Sequence, residues 1–209
     1  MFPLLYAIVD ANITAEPLSL ATKLADAGAT LIQLRDKHSS ARKVYTQSRE
    51  LVALLAPRGV RLVVNDRADI AAMAGASGVH VGQDDLPVED ARKICPFPSW
   101  VGVSTHNLKQ LREAGSTSAD YIAVGPIFPT VTKENPDPVV GLELLRAARK
   151  LTCKPLVAIG GVTAGNAAEV YAAGADSVAV IRDLAQATDP GEQVRRFLAI
   201  AERVVTRRS

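Results

Sequence analysis

The sequence predicts an α/β protein that folds as a single (β/α)8 TIM barrel over residues 1–209. Eight short apolar runs alternate with Ala- and Leu-rich segments of helical periodicity, which is the order of a (β/α)8 barrel. Polar side chains follow nearly every apolar run, and no GxGxxG motif follows the first one. An open doubly wound sheet would instead gather its polar residues at one switch point, so we expect the barrel.

The apolar runs are uninterrupted, which is typical of parallel strands buried on both faces. The predicted strands are 4–9, 31–34, 61–64, 78–81, 100–104, 121–124, 156–159 and 177–181. The predicted helices are 18–27, 41–56, 70–74, 88–94, 108–114, 141–151, 164–173 and 192–205. Strand–helix repeats imply right-handed crossovers, and no Pro-, Gly- or Ser-rich linker divides the chain, so we expect one domain.

Composition excludes several classes of protein. The chain is 48% hydrophobic with a formal net charge of +2, so it can bury a core and shows no basic face for nucleic acid. No apolar run approaches the roughly 20 residues that span a bilayer, and residues 1–6 lack a basic signal-peptide start. Cys95 and Cys153 have neither zinc-ligand nor disulfide-framework spacing. We expect a soluble, reduced, cytoplasmic protein.

In such a barrel the loops after the strands meet at one end, where active sites lie. Gln33, Arg35 and Lys37 end the second strand at alternate positions, so they point the same way. Two cations and an amide together suit an anion with several oxygens. A solvated strand end is the alternative for this run alone.

Carboxylates follow the third and fourth strands. Asp66 and Asp85, on adjacent strands, could share Mg²⁺, which is often bound by one or two carboxylates and phosphate oxygens. A helix-capping role for both is nearly as good an interpretation, and Asp69 is expected to cap the helix at Ile70. Asn65 is then free to face the site.

Two histidines need separate interpretations. His80 lies within an apolar strand and is expected to be a hydrogen-bonded core residue. His106 follows Ser104 after the fifth strand and is better explained as a cap or a surface residue than as a catalytic acid or base.

The later loops add hydroxyls, glycines and further cations. The longest connection, 125–138, carries Thr130, Thr132 and Lys133 and is either a binding loop or a mobile surface loop. Gly161 and Arg182 follow the last two strands, where this fold frequently binds phosphate. Two anion sites on one rim indicate two phosphorylated substrates.

Five segments then carry a family resemblance: QLRDK (33–37), VNDR (64–67), GVHVGQDDL (78–86), GVSTH (102–106) and GPIFPTVTK (125–133). Together, and in this order along nearly the whole chain, they resemble the thiamine-phosphate synthase family. The resemblance implies a transferase domain, residues 1–209, that joins 4-amino-2-methyl-5-hydroxymethylpyrimidine diphosphate to a thiazole phosphate, or its carboxylated form, and releases diphosphate.

The resemblance also implies residue roles. It assigns the pyrimidine diphosphate to Gln33, Arg35, Lys37, Asn65, Ser104 and Lys133, Mg²⁺ to Asp66 and Asp85, and the thiazole phosphate to Thr130, Val131, Thr132, Gly161, Ile181 and Arg182. Arg35, Lys37, Lys133 and Ser104 would be catalytic, in a dissociative displacement that needs no protein nucleophile. This agrees with a rim that carries cations but no Ser/His/Asp or Cys/His constellation.

One residue departs from the family pattern. Arg182 stands where the family usually has Ser, so it either adds a bidentate phosphate contact, narrows the pocket or turns out toward Asp183. The rival functions are a thiazole tautomerase-like relative and a non-catalytic regulator that binds thiamine precursors. The expected partners are small molecules, with no nucleic acid or membrane; a homo-oligomer is compatible with the sequence.

Overall fold

Eight parallel strands form a closed barrel in the computed structural model, which describes residues 2–130 and 137–205. The strands are β1 (Leu5–Asp10), β2 (Leu31–Arg35), β3 (Arg61–Asn65), β4 (Gly78–Val81), β5 (Trp100–Thr105), β6 (Tyr121–Val124), β7 (Leu156–Ile159) and β8 (Ser177–Val180). Each strand pairs with the next, and β8 pairs with β1, with Tyr6 opposite Ala179. The expected (β/α)8 barrel is confirmed.

Helices connect the strands on the outside of the barrel. Within the described ranges they are α1 (Pro17–Asp26), α2 (Ala41–Leu55), α3 (Ala68–Ala74), α4 (Val88–Ile94), α5 (Leu108–Gly115), α6 (Gly141–Leu151), α7 (Ala167–Ala172), α8 (Arg182–Ala185) and α9 (Pro190–Val205), with a 3₁₀ turn at Ala56–Arg58. All eight predicted strands are present, with ends that differ by no more than one residue. Helix α8 was not predicted, because four residues are too few to show a helical period.

Helix starts were less predictable than strands. Asp69 does not cap α3: the helix begins two residues earlier than predicted, Arg67 holds the N-cap position, and Asp69 in the first turn pairs with Arg67 at 2.6 Å. Asp85 does not cap α4 either, because Pro87 holds that N-cap without a side-chain hydrogen bond. A propensity for caps cannot anticipate where the backbone first turns helical.

Alternation along the strands divides the core into two layers. The outer layer packs the strands against the helices and contains Ile32 and Leu34. The inner layer fills the barrel with Tyr6, Ile8, Leu31, Val63, Tyr121, Ala123, Val157 and Ala179. Side chains two positions apart share a face, so the inward residues of β2 continue from Leu31 through Gln33 to Arg35. No helix within the described residues is long and apolar enough to cross a membrane.

Candidate active site

A cavity of about 1040 Å³ opens at the carboxyl ends of the strands. It gathers most of the residues that the sequence singled out, which are Gln33, Arg35, Lys37, Asn65, Asp66, Asp85, Ser104, Thr130, Gly161, Ile181 and Arg182. Val131, Thr132 and Lys133, also singled out, lie outside the described residues. The cavity therefore unites loops that are distant in sequence.

Arg35 is held in place by an acid from the neighbouring strand. Its guanidinium Nη1 donates to Oδ2 of Asp10, which is buried at the end of β1. Asp10 also accepts from the backbone N–H of Asn12 at 2.9 Å, so the loop after β1 fixes the carboxylate. A planar guanidinium held in this way keeps further N–H donors for an anion. Arg35 is thus a preorganised cation at the cavity wall.

Lys37, Asp66 and Asp85 form a small charged cluster on the same wall. The Lys37 ammonium lies 3.0 Å from Oδ2 of Asp66, and Asp85 lies close enough to Asp66 to affect the pKa of its carboxyl. Burial and the neighbouring Asp85 raise the pKa of Asp66, whereas Lys37 acts in the opposite direction. Two adjacent carboxylates with one compensating ammonium make a site that favours additional positive charge.

Backbone conformation and backbone hydrogen bonds orient the carboxylates of Asp66 and Asp85. Asp66 has φ 62°, in the left-handed region, and its N–H donates to the carbonyl oxygen of His80 at 2.7 Å. Asp85 accepts from the backbone N–H of Gly82 at 2.7 Å, which closes the loop after β4. Strained backbone of this kind persists where surrounding structure over-determines it, commonly at functional sites.

The donor set suits a hard divalent cation. The described residues contain no cluster of three or more His, Cys, Asp or Glu side chains placed to hold a metal. Mg²⁺ usually takes only one or two carboxylates and completes its shell with water and substrate phosphates. Asp66 and Asp85 supply that minimum, so the residues present fit such an ion.

Ser104 and His80 link the cavity to the barrel interior. His80 is buried, with Nε2 2.9 Å from Oγ of Ser104 and Nδ1 3.1 Å from the hydroxyl of Tyr121. Burial lowers the pKa of His80 to about 4, so the imidazole is neutral at physiological pH. The interpretation of His80 as a hydrogen-bonded core residue is confirmed.

His106 is not a helix cap. Asn107 caps α5 by accepting from the backbone N–H of Gln110 at 3.0 Å. The His106 ring instead lines the cavity, with Nδ1 2.6 Å from the carbonyl oxygen of Gly125 and Nε2 3.6 Å from Oδ2 of Asp137. It connects β5 to both ends of the long connection after β6. This positions His106 as a support for the cavity wall.

The start of the connection after β6 is fastened to the end of β7. Phe128 donates its backbone N–H to the carbonyl oxygen of Gly160 at 3.0 Å, and Ile127 to that of Ile159 at 2.8 Å. Gly161, at φ +64°, passes so close that a Cβ there would lie 2.6 Å from the carbonyl oxygen of Pro129. Only glycine fits, and its backbone is thereby exposed to the cavity.

The end of β8 continues directly into α8. Arg182 begins this helix and lines the cavity. The next residue, Asp183, accepts from the backbone N–H of Ala164 at 2.9 Å and from Nε2 of Gln193 at 2.6 Å. The loops after β7 and β8 are therefore tied together beside Gly161.

Sequence reasoning missed several cavity residues. Tyr6 and Gln83 line the cavity but were not among the residues predicted from the sequence, and Asp10 contributes indirectly by holding Arg35. Period-two alternation was the available clue, because Tyr6, Ile8 and Asp10 share the inward face of β1. That alternation was hidden by an uninterrupted apolar run.

These features define a class. A closed (β/α)8 barrel with cations, adjacent carboxylates and hydroxyls around one carboxyl-end cavity is the arrangement of an enzyme site for anionic small molecules.

Comparison with known proteins is specific. Residues 5–184 match the family model described as thiamine monophosphate synthase. The chain is 53% identical over 204 residues to a thiamine-phosphate synthase of Koribacter versatilis, covering 95% of each chain, and 44% identical over 189 residues to that of Albidiferax ferrireducens, covering 89% and 86%. The solved thiamine phosphate pyrophosphorylase of Pyrococcus furiosus superposes with a TM-score of 0.88 at 34% identity, covering 97% and 96%.

The chain belongs to the thiamine monophosphate synthase family, whose members are transferases of thiamine biosynthesis.

Proposed function

We propose that this member condenses 4-amino-2-methyl-5-hydroxymethylpyrimidine diphosphate with 4-methyl-5-(2-phosphoethyl)thiazole, or its carboxylated form, to give thiamine phosphate and diphosphate. The observation that carries the proposal is the clustering of Arg35, Lys37, Asp66 and Asp85 on one wall of the cavity. This wall has the charges needed to hold a diphosphate and a divalent cation together. Thr130, Gly161 and Arg182 lie across the same cavity and suit a second anion.

The pyrimidine diphosphate is assigned to the first wall. Arg35 and Lys37 contact the diphosphate oxygens, Ser104 donates to them, and Gln33 and Asn65 recognise the polar edge of the ring. Lys133 adds a further cation from the connection after β6, on the strength of the sequence alone. Fixed N–H and O–H donors are well placed for such an anion because they need not reorganise when charge develops.

Magnesium is assigned to Asp66 and Asp85. When bound, Mg²⁺ neutralises the diphosphate and stabilises the charge that grows as it leaves. The contact between Lys37 and Asp66 supports this assignment, since an ammonium already compensates the carboxylate where a second cation would lie.

The thiazole phosphate is assigned to the opposite wall. Thr130 offers donors from this wall, Val131 and Thr132 are added on the strength of the sequence alone, and Gly161, Ile181 and Arg182 line the end formed by β7 and β8. The absence of a side chain at Gly161 leaves its backbone open to a phosphate oxygen. Arg182 replaces the hydroxyl residue usual in the family with a guanidinium, which suits bidentate phosphate binding.

The proposed displacement is dissociative. The carbon–oxygen bond of the pyrimidine diphosphate breaks, its electron pair leaves with diphosphate, and the aminopyrimidine stabilises the methylene cation. The thiazole nitrogen then forms the new carbon–nitrogen bond with its own lone pair. Arg35, Lys37, Lys133 and Ser104 stabilise the departing charge, and no protein nucleophile takes part.

The wider setting follows from this chemistry. We infer a single catalytic domain over residues 1–209, cytoplasmic, acting on small molecules. Neither nucleic acid nor a membrane is needed for the reaction.

Purified protein supplied with both substrates and Mg²⁺ is expected to form thiamine phosphate and diphosphate in equal amounts, measured by chromatography. Lys133→Ala should lower the turnover greatly and leave the circular dichroism spectrum unchanged, whereas Lys109→Ala, an exposed lysine on α5, serves as the matched control. Binding of both substrates without product would refute the transferase and favour a regulator. Interconversion of thiazole tautomers alone would favour the tautomerase.

A further inference from the structure

Five polar side chains form a continuous hydrogen-bond chain across the barrel interior. Gln33 Nε2 donates to the hydroxyl of Tyr6 at 2.7 Å, and the Tyr6 hydroxyl lies 2.9 Å from that of Tyr121. Tyr121 lies 3.1 Å from Nδ1 of His80, whose Nε2 lies 2.9 Å from Oγ of Ser104. The hydrogen-bond chain thus connects β2, β1, β6, β4 and β5, and four of its five side chains line the cavity.

One member of this chain differs from the other four. Gln33, Tyr6, His80 and Ser104 line the cavity, and the proposed function gives Gln33 and Ser104 a substrate contact. Tyr121 is fully buried and does not line the cavity, so it can act on the reaction only through its neighbours. Its ring occupies space that a side chain at position 102 would fill, since a Cβ on Gly102 would lie 2.0 Å from Cζ of Tyr121.

The hydroxyls have a single consistent direction. Both tyrosines are buried, and burial raises the pKa of each, so each hydroxyl keeps one hydrogen to donate. Because Tyr6 accepts from Gln33, its hydrogen is available for Tyr121, and that of Tyr121 for Nδ1 of His80. The imidazole then carries its hydrogen on Nε2 and donates it to Ser104.

This direction determines whether the Ser104 hydroxyl can donate its hydrogen to a group in the cavity. An Oγ that accepts from His80 keeps its own hydrogen for a group in the cavity. The reverse direction leaves the Tyr6 hydrogen with no acceptor among these five side chains unless the Gln33 amide turns its carbonyl oxygen toward Tyr6, and it would point the Ser104 hydrogen back at His80. The orientation of the Gln33 amide and the orientation of the Ser104 hydroxyl are therefore coupled.

We propose that Tyr6 and Tyr121 are positioning residues, which fix the direction of this hydrogen-bond chain so that Ser104 presents its hydroxyl hydrogen to the diphosphate. The proposal rests on the proposed function. It makes recognition of the pyrimidine by Gln33 and stabilisation of the leaving group by Ser104 parts of one buried network.

The direction is tested on the protein without substrates. Nitrogen NMR of ¹⁵N-histidine protein should show the Nε2–H tautomer for His80, assigned by the loss of its signals in His80→Gln. Tyr121→Phe removes the donor to Nδ1 and should give a mixture of tautomers. An Nδ1–H tautomer in the unmodified protein, or an unchanged tautomer in Tyr121→Phe, would overturn the proposal whatever reaction the protein catalyses.

The effect on catalysis is tested by a double-mutant cycle. Tyr121→Phe and Tyr6→Phe should each lower kcat about tenfold, the loss expected for one hydrogen bond, with the KM for the thiazole phosphate unchanged. In a Ser104→Ala background Tyr121→Phe should have little further effect, because it acts through Ser104. Independent, multiplicative losses would contradict a positioning role.

A matched control separates positioning from stability. Tyr171→Phe also removes a buried hydroxyl, which donates to the carbonyl oxygen of Leu4 at 2.7 Å, outside the network. It should lower the stability and leave kcat unchanged. An equal fall in kcat for Tyr171→Phe and Tyr121→Phe would refute the proposal. Failure of the proposed function would appear separately, as absence of product from the unmodified protein.

Discussion

Asp66 lowers the stability of the fold in two ways. Among the described residues it is the one non-glycine residue with a positive φ, and burial and the nearby Asp85 raise the pKa of its carboxyl. A raised pKa in the folded state means that the ionised carboxylate opposes folding at neutral pH, and this cost is relieved as the pH falls through that pKa. A residue that lowers stability in this way is explained by what it does in the site.

Replacement of Asp66 should separate stability from activity. Asp66→Asn removes the charge but tolerates the left-handed conformation, so turnover should fall at least a hundredfold while the melting temperature is maintained or raised. Asp66→Ala should lose the same activity and lower the stability by roughly 1 kcal/mol, since alanine does not favour this φ. Steady-state kinetics and thermal unfolding measure both. A lower melting temperature for Asn than for Ala would contradict this account.

The affinity for Mg²⁺ should fall with decreasing pH. Protons compete with the metal for Asp66, and because its pKa is raised, the loss should begin at a higher pH than for an ordinary exposed aspartate. Titration calorimetry between pH 8 and about pH 4 should show weakening affinity and proton release on binding. In Asp85→Asn the affinity should be lower at every pH. A pH-independent affinity would remove Asp66 from the metal site.

At the scale of secondary-structure elements, the site depends on hydrogen bonds between each loop and the neighbouring strand or loop. The connection after β6 hydrogen-bonds to Ile159 and Gly160 at the end of β7, and the loop after β7 is tied by Asp183 to the chain after β8. Each loop therefore takes its conformation from the next unit around the barrel. Such contacts between units position the wall that we assign to the thiazole phosphate.

Gly161→Ala should disturb this wall selectively. Its Cβ would meet the carbonyl oxygen of Pro129 at 2.6 Å in addition to the strain of a positive φ. We expect the KM for the thiazole phosphate to rise at least tenfold. Gly59→Ala has a similar φ of +69° with nothing within 4 Å of its Cβ, so it carries the backbone strain alone and should leave KM unchanged. Equal kinetics for the two variants would refute the role of the close approach.

Strands and loop ends were predictable at this scale because each depends on local pattern. Apolar runs located β1 to β8, and their polar ends located Gln33, Asp66 and Ser104 at one cavity. Hydrogen-bond partners that come from different strands were not predictable. Nothing in the local sequence indicates that Arg35 bonds to Asp10, or that His80 bonds to Tyr121, because these pairs form only when distant strands become neighbours.

On the scale of the whole molecule, the two ends of the barrel have different roles. The carboxyl ends of the strands carry the cavity, whereas a network around Arg92 stabilises the amino ends of β5 and β6. Arg92 donates to the carbonyl oxygens of Cys95 at 3.2 Å and Ser118 at 3.0 Å and pairs with Asp120. Asp120 in turn accepts from the backbone N–H of Val101 at 2.7 Å. This network secures the entries to β5 and β6 without reaching the site.

Arg92→Met should therefore lower stability and spare activity. Removal of one partner from a largely buried pair leaves Asp120 uncompensated, and we expect a loss of about 2–3 kcal/mol in urea unfolding. Arg58→Met breaks an exposed pair with Asp26 and should cost less than about 1 kcal/mol. The kcat of both variants should equal that of the unmodified protein below the unfolding transition. A large loss of kcat in Arg92→Met would contradict this division.

Closure of the barrel has a consequence for how the chain is made. β1 hydrogen-bonds to β8 as well as to β2. One edge of the first strand therefore stays unpaired until Ser177–Val180, the last strand of the barrel, has been synthesised. Throughout most of synthesis the nascent polypeptide offers that open edge to any other extended segment. Premature termination before β8 should therefore yield a product that self-associates, rather than a smaller version of the enzyme.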